Sequence, residues 1–372
     1  QHMKREIDMV AERLPGRRDV LQLHWGGGTP THLHPEQMED LYRHIVSQFR
    51  LLPDAEVAIE VDPRVTTPTH LATLRKLGFT RLSLGVQDFT PEVQHAVERN
   101  QTYEETADLI QEARRLGFSE YNLDLIYGLP LQTLESFRDT LRRVVDLRPG
   151  RVAVYSYAHV PWIRPQQKRI AETDLPTPET KLALFAAAIQ VFTEAGYRRI
   201  GMDHFALPED ELSRARERGA LTRNFMGYTV RQGTDLVAFG VSGIGEVGGA
   251  FVQNVKKLSD YYHRLDEGSL PVDRGYVLDE DDRIRRFVIL SLMCNFELDV
   301  TELRSRFGVD FDTYFASELS RLDAAIEPGF VVRSPQKLTV TPLGSVFVRN
   351  ICMIFDRYLS GAASKPIYSR TV

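Results

Sequence analysis

Three short junctions of one type recur between residues 77 and 197 and constrain the fold more than any other feature. They read Leu77-Gly78-Phe79, Leu116-Gly117-Phe118 and Ala195-Gly196-Tyr197. In each, an amphipathic stretch ends, a glycine is suited to the left-handed cap, and an aromatic residue enters an apolar run. The repetition is typical of helices that each lead into the next strand of a parallel sheet.

The apolar pattern from residue 19 to residue 205 predicts alternating strands and helices. The predicted strands are Val20–Trp25, Val57–Val61, Arg81–Val86, Tyr121–Tyr127, Val152–Tyr157 and Arg199–Met202. The predicted helices are Glu36–Phe49, His70–Leu77, Tyr103–Leu116, Leu134–Leu147 and Glu179–Ala195. This number of units favours an α/β fold that closes as a barrel or an open partial barrel.

Polar residues stand at the ends of these predicted strands. They are Glu60 and Asp62, Gln87 and Asp88, Asp124 within its strand, Tyr157 and His159, and Asp203 and His204. Caps and turns explain any one of them. Because the carboxyl ends of parallel strands form the active-site face of a barrel, the set predicts a functional rim.

The segment Gln22-Leu-His-Trp-Gly-Gly-Gly-Thr-Pro-Thr31 predicts a strand that runs into a glycine turn, with a helix beginning near Pro35. Three glycines permit positive φ and a close approach of the backbone to a ligand. A tight turn without a ligand is the alternative. Further along, Thr234–Val241 is predicted as a strand, and the glycines of 240–249 suit either a nucleotide loop or a plain backbone approach to a ligand.

A second domain is predicted to start near Gly275. Its predicted helices are Asp279–Leu292, Asp299–Phe307, Asp312–Leu322 and Thr341–Leu359, and its short strands are Phe330–Arg333 and Lys337–Val340. Three helices with a two-stranded wing resemble a winged-helix module. The acidic stretch Asp279–Asp282 and the lack of a basic recognition helix argue against DNA binding.

Composition narrows the class of protein. The formal net charge of −5 argues against nonspecific binding to nucleic acid, and no apolar run approaches the length of a membrane span. Cys294 and Cys352 lie far apart in apolar helical contexts, so buried, inert thiols are expected. A reducing, cytoplasmic location is the simplest interpretation.

Several motifs together resemble one known family, the oxygen-independent coproporphyrinogen III oxidases, which are radical S-adenosylmethionine (SAM) enzymes. The matching segments are 24–30, 59–63, 85–88, 124–130, 157–159, 200–206, 223–229 and 349–353. The glycine loop alone also fits haem-chaperone-like relatives. Ile200–Ala206 and Arg223–Thr229 are more specific to the oxidase.

The resemblance implies a partial (β/α) barrel of the radical SAM type in residues 19–274, after an N-terminal remnant in residues 1–18. Residues 275–372 are then a mainly helical, winged-helix-like domain that covers the barrel opening. The implied reaction is decarboxylation without oxygen. A [4Fe–4S] cluster reduces SAM, and the resulting 5′-deoxyadenosyl radical takes a hydrogen from a substrate propionate. Carbon dioxide leaves, an electron passes on, and a vinyl group remains. Two propionates of coproporphyrinogen III are converted, giving protoporphyrinogen IX.

Family contacts carry over to this chain where its motifs match. The implied SAM-binding residues are Gly27, Gly28, Thr29, Glu60, Gln87, Arg99, Asp124, Ala158 and Ile244, for two SAM molecules per chain. An arginine can meet the SAM carboxylate bidentately. Carboxylates can accept from its ammonium or ribose hydroxyls.

The chain departs from the family at the cluster. The family holds it with a Cys-x-x-x-Cys-x-x-Cys motif, which is absent from the 372 residues. A segment carrying those cysteines and the first barrel strand is therefore expected upstream of residue 1. As written, the chain is predicted to hold no cluster, no catalytic residue is assigned in it, and no metal ligand is predicted.

Two other functions remain as alternatives: a non-catalytic haem-binding or haem-delivery protein, and a DNA-binding regulator that uses the C-terminal module. In the oxidase interpretation a monomer is expected, with an unidentified electron donor and acceptor. Candidates for gripping the substrate carboxylates are Arg223, Arg285, Arg286 and Arg349.

Overall fold

A computed structural model describes residues 1–16 and 18–359. Its strands are β1 Asp19–Trp25, β2 Arg50–Val61, β3 Arg81–Gln87, β4 Glu120–Tyr127, β5 Arg151–Ser156, β6 Arg198–Ile200, β7 His204–Ala206, β8 Thr222–Asn224, β9 Gly227–Thr229, β10 Ile244–Val247, β11 Ala250–Asn254, β12 Val272–Val277, β13 Glu297–Asp299, β14 Val331–Arg333 and β15 Lys337–Val340.

Its helices alternate with these strands over the first part of the chain. They are α1 His2–Arg13, α2 Pro35–Gln48, α3 Pro68–Lys76, α4 Pro91–Ala96, α5 Tyr103–Arg115, α6 Leu134–Leu147, α7 Pro178–Glu194, α8 Glu211–Glu217, α9 Leu258–Asp266, α10 Glu280–Leu290, α11 Val300–Phe307, α12 Phe311–Tyr314, α13 Ala316–Ile326 and α14 Val348–Met353. The first five predicted strands and all five predicted helices before residue 196 are confirmed within a few residues, except that β2 begins seven residues earlier than predicted.

Local chemistry explains why these helices start and stop where they do. At the start of α5, the Thr102 hydroxyl accepts from the Glu105 N–H, and the Glu105 carboxylate accepts from the Thr102 N–H. This reciprocal cap satisfies two donors that a helix start leaves unpaired. The junction glycines Gly78, Gly117 and Gly196 all have positive φ, as predicted.

The seven strands β1 to β7 hydrogen-bond in the order β1-β2-β3-β4-β5-β7-β6. β1 pairs in parallel with β2, and β2 pairs in parallel with β3. The strand predicted at Arg199–Met202 is present as the shorter β6, but β6 does not pair with β5. The chain forms β6, turns, and returns as β7, which runs antiparallel to both β5 and β6. Gly201 makes the turn with a φ of +57°.

The chain packs as two compact units, each made of separate stretches. The first unit contains residues 1–85, 101–122 and 231–278, and the second contains residues 86–100, 123–230 and the chain from 279 onward. In the first unit, β10, β11 and β12 form an antiparallel sheet. In the second unit, β13, β15 and β14 form another, with α10 to α14 packed in the same apolar core.

Two predictions in the glycine-rich and C-terminal regions need correction. Residues 234–241 form no strand and contribute only an isolated bridge between Leu236 and Glu246. The helix predicted at Thr341–Leu359 is replaced by a 3-10 turn, Gly344–Phe347, and the short α14. Gly344 lets the Phe330 backbone approach this segment closely, because a Cβ there would collide with it. The two strands of the predicted wing are confirmed as β14 and β15.

Within the described residues, no helix combines the length and the apolar character that crossing a bilayer requires.

Candidate functional site

The glycine loop follows β1 directly and belongs to the first unit. Gly27 and Gly28 have φ values of +79° and +59°, and both are exposed. Apart from the adjacent residues, no heavy atom of the described chain lies within 4 Å of the position that a Cβ would take at either glycine. The predicted backbone conformation is therefore confirmed, and the open space over the loop fits a ligand that approaches the main chain closely.

Glu60 of β2 meets this loop. The Gly27 N–H donates to Glu60 Oε2 at 3.0 Å, and His24 Nε2 lies 3.4 Å from Glu60 Oε1. Glycine at position 26 leaves room for these two side chains, because a Cβ there would lie 2.7 Å from Glu60 Oε1 and 2.8 Å from His24 Nε2 and would displace them. The parallel pairing of β1 with β2 brings these residues together, since it sets His24 opposite Ala58 and Trp25 opposite Ile59.

The local environment keeps the Glu60 side chain charged. Burial alone would raise the pKa of Glu60, but the hydrogen bonds from His24 and from the Gly27 N–H outweigh it and lower the pKa below its ordinary value. The side chain is 46% exposed, so the carboxylate is accessible to a ligand. It can accept from an ammonium or from hydroxyl groups.

The first unit contains two more of the predicted SAM-binding residues, Thr29 and Ile244. Thr29 directly follows the glycine loop, whereas Ile244 lies in β10. Thr29 precedes the 3-10 turn Pro30–His32, and its carbonyl accepts from the His32 N–H at 3.0 Å. Ile244 is the first residue of β10 and pairs with Gln253. The glycines that follow it, Gly248 and Gly249, form the turn of the β10–β11 hairpin with positive φ.

Gln87 and Arg99 lie in the second unit, at irregular points of the backbone. Gln87 ends β3 with a φ of +69°, which is uncommon for a residue with a side chain. The Arg99 N–H donates to the Gln94 carbonyl at 2.8 Å, directly after Glu98, which also has positive φ. Backbone strain of this type clusters at functional sites.

Asp124 and Ala158 are also in the second unit. Asp124 is partly buried in β4 between the fully buried Leu123 and Leu125. The Ala158 carbonyl accepts from Gln167 Nε2 at 3.0 Å in the loop after β5. In that same loop, Tyr157 Oη and His159 Nδ1 are buried without a hydrogen-bond partner among the described residues.

Two of the polar strand ends serve the fold and are not open to a ligand. Asp88 is fully buried and accepts from Gln132 Nε2 and Thr140 Oγ1 at 2.6 and 2.9 Å. Asp62 is buried and is engaged by the Arg64 guanidinium at 2.6 Å. The expectation that all polar strand ends contribute to a functional rim is too broad at these two positions.

Asp203 and His204, in the second unit, form a close pair at the start of β7. His204 Nδ1 lies 2.7 Å from Asp203 Oδ1, and the imidazole packs edge-on against Tyr228, with 5.1 Å between ring centroids. The Met202 N–H donates to the Tyr228 hydroxyl at 2.9 Å. Gly201 has no room for a side chain because Tyr228 occupies the space. The β6–β7 turn therefore places this pair.

The four arginines proposed for carboxylate binding differ sharply. Arg285 is committed to the fold, because it pairs with Asp281 and Glu318 at 2.9 and 2.8 Å and donates to the Phe355 carbonyl. Arg223 instead lies over the Tyr228 ring, with 5.3 Å from Cζ to the centroid. Arg286, on the same helix as Arg285, is partly buried.

The remaining candidate, Arg349, is exposed at the start of α14. A further arginine, Arg199, was missed from sequence because it occupies an ordinary strand position. Its guanidinium donates to the Ser345 Oγ and carbonyl at 2.7 and 2.8 Å.

The residues present do not fit an iron–sulfur cluster. The two cysteines of the chain, Cys294 and Cys352, are buried free thiols whose pKa burial raises, whereas the cluster motif of the family supplies three thiolate ligands. In the described part of the chain, no group of three or more His, Cys, Asp or Glu residues is arranged to hold a metal ion. The glycine loop with Glu60, by contrast, fits the amino-acid end of SAM.

Comparison with known proteins places the chain. A profile described as "Radical SAM superfamily" matches residues 3–144, and one described as "HemN C-terminal domain" matches residues 278–347. A Synechocystis protein named oxygen-independent coproporphyrinogen III oxidase is 44% identical over 372 residues, which cover 99% of this chain and 80% of that protein. An Escherichia coli protein of the same name is 45% identical, covering 100% and 81%.

One solved structure agrees in fold as well as sequence. It is described as "Coproporphyrinogen III oxidase (HemN) from Escherichia coli is a Radical SAM enzyme". It matches with a TM-score of 0.93 and 46% identity, covering 96% of this chain and 82% of that one. The expected fold class and the family resemblance are both confirmed. The chain belongs to the family of oxygen-independent coproporphyrinogen III oxidases, and its fold is that of a radical SAM enzyme.

Proposed function

We propose that this chain carries the SAM-binding and substrate-binding parts of an oxygen-independent coproporphyrinogen III oxidase. The SAM contacts of the first unit are Gly27, Gly28, Thr29, Glu60 and Ile244, and those of the second are Gln87, Arg99, Asp124 and Ala158. The observation that carries the proposal is the open glycine loop with its charged Glu60, in a chain 44% identical over its length to an enzyme of that name.

The roles follow from the chemistry of each group. SAM supplies the hydrogen-abstracting radical in this family. Gly27 and Gly28 leave the main chain accessible, and the anionic Glu60 accepts from the ammonium or ribose hydroxyls of SAM. His24 orients the Glu60 carboxylate. The guanidinium of Arg99 has the geometry to meet a carboxylate bidentately.

The substrate is coproporphyrinogen III. Each conversion removes one hydrogen atom from a propionate, releases carbon dioxide, and passes one electron to an acceptor, leaving a vinyl group. Two such conversions give protoporphyrinogen IX. The domain boundaries proposed are 18/19 and 274/275. The protein is proposed to be a cytoplasmic monomer that exchanges electrons with a donor and an acceptor still to be identified.

A non-catalytic haem-binding protein is the alternative, and the relatives do not favour it, because they are named as oxidases. The two functions separate in a binding measurement. Titration with haem at stoichiometric affinity, combined with no binding of SAM, would favour haem delivery.

Calorimetric titration of SAM into the wild-type chain and Glu60→Gln tests the SAM site. Loss of a charge-assisted contact predicts roughly tenfold or greater weakening. Glu12→Gln is the matched control, since Glu12 is exposed on α1 of the same unit. Equal affinity of Glu60→Gln and the wild type would contradict the role of Glu60.

Cluster assembly is a separate test. Anaerobic reconstitution of this chain with iron and sulfide is expected to give no stable [4Fe–4S] absorbance or electron paramagnetic resonance signal, because its two cysteines are buried thiols. A stable cluster that cleaves SAM would contradict this expectation.

A further inference from the structure

Positive charge is concentrated around a single carboxylate, Asp203, in the second unit. The guanidinium groups of Arg199, Arg223 and Arg349 interact electrostatically with Asp203, and the His204 imidazole lies 2.7 Å from it. No acidic side chain in the described part of the chain lies within 4.0 Å of the guanidinium nitrogens of these arginines. Arg199 and Arg223 are partly buried, and cations in such positions are normally paired, so these two guanidinium groups indicate a missing anion.

Arg223 is held in place without being neutralised. It lies in β8, stacked on the Tyr228 ring of β9, and its Nη1 contacts Met293 Sδ at 3.8 Å. Neither partner carries charge. The arrangement fixes the guanidinium while leaving its donors available, as a preorganised anion site requires.

Arg199 adds a second guanidinium whose positive charge is not neutralised by its hydrogen-bond partners. It donates to Ser345 and to the Met202 carbonyl, which are neutral acceptors, and its Nε is buried without a partner among the described residues. Its plane lies over Phe185. Burial lowers the pKa of Arg199 to about 10, which still leaves the group charged at neutral pH.

The pKa of Asp203 reflects the positive charge around it. Burial would raise the pKa of Asp203, but the hydrogen bond with His204 and the charges of His204, Arg223 and Arg349 lower it instead. One carboxylate thus faces several cations. Arg285 shows the opposite case in the same unit, because two acidic side chains, Asp281 and Glu318, satisfy it.

Apolar surface stands next to the cations. Phe225 and Met226 form the tip of the β8–β9 hairpin and are 52% and 50% exposed. Tyr155, whose ring lies 5.8 Å from that of His204, is 38% exposed. A ligand that suits both features is a flat apolar molecule with carboxylate arms.

We infer that Arg223 and Arg349, supported by Arg199 and His204, form a site that binds a propionate carboxylate of the tetrapyrrole substrate. The inference rests on the proposed function. The propionate held here is one that is not being converted. A carboxylate must lose its charge to leave as carbon dioxide, and paired cations stabilise the charged form and oppose that step.

The test measures binding of coproporphyrin III, a stable tetracarboxylate, by fluorescence or absorbance titration. Arg223→Gln and Arg349→Gln are each expected to weaken binding about tenfold, and the double variant more. Mesoporphyrin IX carries only the two propionates that are not converted, so the variants should weaken its binding by a similar factor. Arg304→Gln is the control, because Arg304 pairs with Asp310 at an exposed position of the same unit.

Three outcomes separate the inference from the proposed function. Weakened tetracarboxylate binding in the variants, with an unchanged control and SAM affinity, supports the site. Equal affinity of the wild type and a folded double variant, checked by circular dichroism, overturns the inference alone. A wild-type chain that binds neither coproporphyrin III nor SAM overturns both.

Discussion

Two glutamates of the first unit accept a hydrogen bond from a glycine N–H, yet their environments assign them opposite roles. Glu60 accepts from Gly27 and lies beside His24, half-exposed. Glu6, on α1, is 1% exposed and accepts from the Gly240 N–H. Burial raises the pKa of Glu6, whereas hydrogen bonding to His24 and Gly27 overcomes burial and lowers that of Glu60.

The difference lies in the partners. Besides Gly240, Glu6 accepts from the Asn254 amide and the Tyr261 hydroxyl, each at 2.6 Å, and these donors are all neutral. They satisfy a buried carboxyl group without supplying a compensating charge. Glu6 therefore anchors α1 to the loop and sheet beyond residue 240, while Glu60 keeps its charge for a ligand. Hydrogen bonds alone do not make a carboxylate functional.

The largest expected effect is on stability. Glu6→Ala leaves three buried donors without an acceptor and should lower the free energy of unfolding by about 3 kcal/mol or more. Glu60→Ala, at a half-exposed site, should change it by less than about 1 kcal/mol. Urea denaturation of both variants measures the contrast. Equal losses would remove the distinction between the two sites.

Gly26→Ala tests whether the loop geometry depends on Glu60. The new Cβ must displace the ends of the Glu60 and His24 side chains, at an expected cost of about 1–2 kcal/mol. SAM affinity should fall with it. Gly268→Ala, at an open position with positive φ, provides the control for general glycine effects on stability. Unaltered SAM affinity in a folded Gly26→Ala variant would show that the loop geometry does not contribute to SAM binding.

The raised pKa of Glu6 predicts a pH dependence. Its contribution to stability is fully present below the unfolded-state pKa of about 4.5 and is lost as pH rises through the higher folded-state pKa. Glu6→Gln should therefore gain stability relative to the wild type as the pH rises above about 4.5. Thermal melts across this range measure it, and parallel curves for the two proteins would contradict it.

The smallest expected effect is the pH dependence of stability caused by Glu60, and its sign is opposite to that of Glu6. Its lowered pKa gives a contribution that is present above about 4.5 and is lost as pH falls through the folded-state value. Because the side chain is half-exposed, the wild type should lose less than about 0.5 kcal/mol relative to Glu60→Gln on acidification. The same melts, extended to acid pH, decide the sign.

Much of the fold was predictable because its signals are local. Helix α6 has the predicted bounds, since its apolar face and its Thr133 cap lie within one segment. The glycine loop was predictable for the same reason. The reversal from β6 to β7 was not, because a single glycine at 201 is compatible with either a strand or a turn, and the packing of Tyr228 against Gly201 is visible only in the structure.

The candidate site divides in the same way. The contact between Gly27 and Glu60 follows from a motif and the parallel pairing of β1 with β2. The role of Arg199 could not be predicted from sequence, nor could the ion pairs of Arg285 with Asp281 and Glu318. The sequence does not show whether an acidic side chain neutralises a given arginine. Helix α1 was likewise missed in a segment expected to be a remnant.

By itself, the amino-acid sequence determined the alternation of strands and helices, the family, and the backbone freedom of the glycine loop, because periodicity, caps and glycine act over a few residues. Only the tertiary structure decided which charges are neutralised. Glu6 and Glu60, or Arg285 and Arg223, differ in partners that lie far away in the chain, and the free energy of a charge depends on what surrounds it in space.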